Sequence, residues 1–103
     1  MLQVNFDLQH FFITHLFSIL FFTIIYYYLF NNIEENFILN NKITKEEYLK
    51  NKLLNSFFLS VNMETTTGYV DFYVKSPLAK IICLSQLFLS LLITTGFIHI
   101  IKN

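Results

Sequence analysis

The chain has 103 residues, with 7 basic and 7 acidic side chains, so it is one domain at most and lacks the basic excess that a nucleic-acid binder needs. Hydrophobic residues make up 54% and charged residues 14%, against about 25% charged in soluble domains. A single Cys excludes an internal disulfide framework and a cysteine-based zinc site.

Residues 1–7 form a short N-terminal segment. Residues 8–30 contain no Asp, Glu, Lys or Arg. A helix of about 20 such residues crosses the hydrocarbon core of a bilayer. A secretory leader would carry basic residues before the apolar run, but Asp7 stands there. Tyr26, Tyr27 and Tyr28 read as an interfacial aromatic belt. His10, Thr14 and Ser18 share one helical face and are expected to pack inward.

Residues 31–51 are polar and read as a solvated turret bearing Glu34, Glu35, Lys42, Lys45, Glu46, Glu47 and Lys50. Thr44 and Glu47 have capping-box spacing, so a helix is expected to begin there. Glu46 and Lys50 form an i,i+4 pair in the favoured order. Residues 52–64 hold the apolar run Leu53, Leu54, Phe57, Phe58, Leu59 and Val61. It is too short to span a bilayer and too apolar for an exposed loop, which is the profile of a re-entrant helix.

A second uncharged stretch, residues 81–101, lies between Lys80 and Lys102. It predicts an inner helix over 78–102. Gln86, Ser90 and Thr94 recur every four residues and share a face. They read either as lining a water-filled cavity or as hydrogen bonds between helices. Gly96 reads as a hinge or a close-packing point, His99 as a pH-responsive gate or an interfacial histidine, and Cys83 as a small buried hydrophobe. The expected fold class is an all-α, multi-pass membrane protein whose first partner is the lipid bilayer.

Between the short apolar run and the second span lies Met63-Glu64-Thr65-Thr66-Thr67-Gly68-Tyr69-Val70-Asp71. This segment resembles the potassium-channel signature T-x-x-T-V-G-Y-G-D, without gaps. Asp71 to Lys80 resembles the family's D-[IL]-Y-P-x-S-x-x-[AG]-[KR] lead into the inner helix. The small size resembles the miniature potassium channels of large algal viruses, which implies a viral or host membrane. The resemblance implies a homotetramer with two transmembrane helices, a pore helix over 52–64 and a filter over 65–71. It implies potassium binding by Thr66, Thr67, Gly68, Tyr69 and Val70, with backbone carbonyls from Thr66 to Tyr69 replacing the ion's water shell. Asn62 and Asp71 are implied as filter support, joined by an amide–carboxylate clamp. No cofactor is implied beyond the permeant ion, and no small-molecule substrate.

The chain departs from the family pattern in places. Val70 stands where the second filter glycine is usual, which puts strong potassium-over-sodium selectivity in question. Thr67 replaces a valine. Val74 replaces a proline and is expected to loosen the outer mouth. Glu64 places a carboxylate near the filter, and three readings stay open for it: protonation, a paired partner or a different local geometry. Six of the seven lysines fall in residues 42–80, which opposes an external turret under the positive-inside rule. No phosphate loop, nucleophile–base pair or metal-ligand cluster appears, so an enzyme is not expected. The other readings are a nonselective or silent channel homologue and a small viral lytic or scaffolding membrane protein.

Overall fold

The first uncharged stretch folds as one long helix, α1 (Leu2–Leu29). It begins earlier than residue 8, so Asp7 lies within it. The computed structural model describes residues 2–39, 44–68 and 72–102, and the side chains of 8–39, 44–68, 72–96 and 98. A 3-10 turn at Phe30–Asn32 ends α1 and leads into the single-turn helix α2 (Ile33–Asn36) and strand β1 (Phe37–Ile38). Helix α3 is Lys45–Lys50 and helix α4 is Lys52–Glu64. Strand β2 (Tyr73–Val74) precedes helix α5 (Pro77–Lys102).

Helix α3 starts where its capping spacing predicts. Thr44 is extended, and its hydroxyl accepts from the Glu47 amide at 3.2 Å. Asn51, with φ −107° and ψ 35°, breaks α3 from α4. At the end of α3 the Glu47 carbonyl accepts from both the main-chain and side-chain amides of Asn51, and the Tyr48 carbonyl accepts from the Asn55 side-chain amide. Helix α5 starts on Ser76, whose hydroxyl accepts from the Ala79 amide at 3.1 Å, with Pro77 at the first helical position.

The turret is less solvated than its charges suggest. Strands β1 and β2 pair antiparallel, Phe37 opposite Val74 and Ile38 opposite Tyr73. Phe30, Phe37, Tyr48 and Phe72 are buried together, with Phe30 stacked on Phe37 at 4.4 Å and edge-on to Phe72 at 5.4 Å. Such a cluster contributes about 2 kcal/mol per buried ring, plus a smaller term for ring geometry. Val74 itself is held within this region. A β-branched residue suits the strand, and Val74 packs against the aromatic core.

Helix α1 packs along both α4 and α5, and α4 wedges between them. The two long helices provide spans at Leu8–Asn36 and Pro77–Gly96, with mean hydropathy 1.7 and 1.8. Only 17% and 22% of these windows are buried inside the protein. Helices in a soluble core would be mostly buried. Here large apolar side chains such as Phe17, Phe88 and Leu92 face outward instead. The 26 residues of α5 extend about 39 Å, enough to cross the hydrocarbon core.

Candidate functional site

The inner end of α4 meets α1 and α5 at a buried polar cluster centred on Glu64, the last residue of α4. Glu64 is 4% exposed. A carboxylate so enclosed is costly unless hydrogen bonds replace its water. The His15 ring nitrogen Nδ1 lies 2.5 Å from Oε2. The Ser18 hydroxyl donates to Oε1 at 2.8 Å, and Gln86 Nε2 donates to the same oxygen at 3.1 Å. The Ser90 hydroxyl donates to the Glu64 main-chain carbonyl at 2.6 Å. Glu64 is therefore partnered from both long helices.

Gln86 extends the cluster outward. Its carbonyl accepts from the Tyr26 hydroxyl at 2.6 Å, and its amide also donates to the Ser60 carbonyl at 2.9 Å. Ser60 in turn donates to the Ile19 carbonyl at 2.7 Å. Among the described residues no buried side-chain nitrogen or oxygen lacks a partner. Two expectations change here. Gln86 is fully enclosed and does not line a cavity, because its amide joins helices. Tyr26 is buried and does not share the belt position of the exposed Tyr27 and Tyr28.

After Glu64 the chain leaves helical geometry. The Thr65 amide still bonds to the Val61 carbonyl at 3.0 Å. Thr66 then has φ 56° and Gly68 has φ 68°, both left-handed. This conformation costs a non-glycine residue about 1–2 kcal/mol. The Asn62 carbonyl accepts from the amides of Thr67, at 2.9 Å, and Gly68, at 3.4 Å. Thus Asn62 holds the following segment through its main chain, while its side-chain amide donates to the Phe58 carbonyl at 2.8 Å. The Thr65 and Thr67 hydroxyls share a hydrogen bond at 2.8 Å, and the Thr66 hydroxyl donates to the Thr65 carbonyl at 2.7 Å. Residues 65–68 are exposed on this single chain. Tyr69, Val70 and Asp71 lie outside the described residues, and so does the clamp from Asn62 to Asp71.

Below this segment a cavity of about 660 Å³ opens between α1 and α5. Its polar rim includes His15, Glu64, Thr66, Ser90 and Thr94, and its apolar wall includes Phe11, Leu16 and Leu91. Ser90 and Thr94 border it, though Ser90 is buried and spends its hydroxyl on Glu64. Thr94 is half-buried, 3.4 Å from His15 Nε2. His10 and Thr14 are exposed, and of their predicted inward face only Ser18 is buried. Helix α5 runs through Gly96 unbroken, and among the described residues no neighbour lies within 4 Å of the position its Cβ would take. Gly96 is therefore not a close-packing point within the chain. The His99 side chain lies outside the described residues. Cys83 is buried, as expected of a small hydrophobe.

The arrangement is two apolar helices, a short helix ending between them, and a left-handed turn at that end. A family model described as "Ion channel" matches residues 14–103. The chain belongs to this ion-channel family. Neither a curated protein nor a solved structure matches it. The family match runs from within α1, at residue 14, through the whole of α4 and the whole of α5. The protein is thus an all-α, channel-like pore subunit of a membrane, from a family of channels and not of enzymes. His15 and Tyr26 are the site residues that sequence reading missed. The available signal was the spacing of His15, Ser18, Phe22 and Tyr26, which traces one stripe along α1.

Proposed function

We propose that the chain is the subunit of a homotetrameric, potassium-selective pore through which the ion moves passively. Four copies of residues 66–70 would surround one axis, with the carbonyls of Thr66, Thr67, Gly68 and Tyr69 turned toward it. The observation that carries this reading is the pair of left-handed residues, Thr66 and Gly68, at the end of a helix lodged between two membrane helices. Alternating handedness is what lets successive carbonyls face one side. Glycine adopts the left-handed form at least cost, and a threonine held there marks a position under constraint.

Three further features support the reading. Non-helical backbone at membrane depth is tolerated only where protein buries it or it lines a water path, and residues 65–68 are exposed in one chain. A ring of four copies supplies both conditions, and closed cyclic symmetry is the usual way to build one. The C-terminal end of α4 carries partial negative charge, which favours a cation just beyond it. Ser90 and Thr94 border the cavity beneath, where a partly hydrated ion would wait. Asp71 would serve at the outer mouth.

The test is current through the purified chain in a planar bilayer. The reading predicts a barium-blocked, potassium-selective current that Gly68→Ala abolishes. A wild-type current in Gly68→Ala would mean that this segment is not the filter. A current reversing near zero with potassium opposite sodium would favour a nonselective homologue, in which Val70 has cost the filter its outer end.

A further inference from the structure

A buried carboxylate one residue ahead of Thr65 is an expensive way to end a helix, and an apolar side chain would close the same space at lower cost. Glu64 is tied to both spanning helices at once. His15 and Ser18 hold its carboxylate from α1, Gln86 holds it from α5, and Ser90 of α5 holds its main-chain carbonyl. Two residues later Thr66 sits at φ 56°. A strained backbone of this kind persists only where its surroundings over-determine it. The main-chain bonds from Met63 and Asn62 hold the segment to α4, and the Glu64 cluster holds that end of α4 to the membrane helices.

We propose that Glu64 is a positioning residue for the filter and that His15 orients it. The carboxylate–imidazole pair couples α1 to the backbone of Thr66 and thereby sets how strictly the filter discriminates between cations. This inference rests on the reading of residues 66–70 as a filter. The geometry leaves little slack. Both carboxylate oxygens are engaged, His15 Nε2 faces Thr94, and the rest of the His15 ring packs edge-on to Phe11 at 4.6 Å. The opposite face of α1, with Phe17 and Ile24, is exposed where lipid would lie. A shift of α1 against its lipid would reach Thr66 through one hydrogen bond and two peptide units.

The experiment records reversal potentials, potassium on one side and sodium on the other, for the full chain and its variants in planar bilayers. His15→Ala and Glu64→Gln should each lower the potassium-to-sodium permeability ratio about tenfold, the scale of one charge-assisted hydrogen bond. The double variant should be no worse than either single one, because both remove the same link. His15→Gln, which keeps a donor of similar reach, should recover part of the ratio. Lys45→Ala, on an exposed ion pair with Glu34, should leave it unchanged. A merely structural role would reduce the number of active channels and leave the ratio alone. Wild-type ratios in His15→Ala and His15→Gln would overturn the inference even if Glu64→Gln fails to assemble. So would additive losses in the double variant. A wild-type channel that is itself nonselective would overturn the filter reading, and this inference with it.

Discussion

Gly68 shows how little space has to do with its role. Among the described residues a Cβ placed there would meet nothing within 4 Å, yet φ is 68°. The effect of Gly68→Ala is therefore one of backbone alone, about 1–2 kcal/mol in each copy. Far-UV circular dichroism should stay unchanged while current is lost. A large loss of helix would assign Gly68 a folding role instead. Thr66, Thr67 and Gly68 stood out in the sequence through a motif, and the left-handed backbone lies within it, at Thr66 and Gly68. His15 and Tyr26 were not. Their stripe on α1 is faint in a helix that is apolar on every side, and three consecutive tyrosines suggest one belt. Neighbouring residues on a helix point about 100° apart, so the three cannot share a face. Tyr26 turns inward to Gln86, and Tyr27 and Tyr28 remain outside. The partner of Glu64 was hidden for a different reason: it lies 49 residues away, and only packing brings the two together.

At the scale of elements, the outer cap depends on Asn36. Its amide donates to the Leu29 carbonyl at 2.9 Å, its side-chain oxygen accepts from Ser76 at 2.6 Å, and its main-chain carbonyl accepts from the Lys75 amide at 2.7 Å. One buried side chain thus joins the end of α1 to the start of α5. Asn36→Ala should cost about 1–3 kcal/mol, because it leaves the Leu29 carbonyl without its donor. Thermal unfolding in detergent micelles measures this, and an unchanged midpoint would contradict it. Thr44→Ala should cost about 1 kcal/mol locally and fray α3, read as faster hydrogen exchange at the Glu47 amide. The start of α3 was legible because a cap is written in adjacent residues. The β1–β2 pair was not, since two-residue strands carry no periodicity and their pairing joins segments on either side of α4. The charges of residues 31–51 suggested full solvation, while Ile33, Phe37 and Tyr48 lie buried beneath them.

For the whole molecule, the uncharged lengths of the chain made both spans legible, and the family match agrees with them. The lysine distribution pulls against an external turret, yet several of these lysines are engaged locally. Lys45 pairs with Glu34 at 3.0 Å, Lys52 lies 4.2 Å from the centre of the Tyr27 ring, and Lys75 donates to the Glu34 carbonyl. With the turret outside, a cysteine introduced at Glu46 in a Cys83→Ala background should react with a membrane-impermeant thiol reagent added to intact cells. Labelling only after permeabilisation would reverse the orientation. The central claim, a selective filter carried by Thr66 to Val70, is tested most directly by the reversal potential of the purified wild-type chain between potassium and sodium. The account predicts reversal close to the potassium equilibrium potential, with block by barium. Reversal near zero, or no current at all, would contradict it.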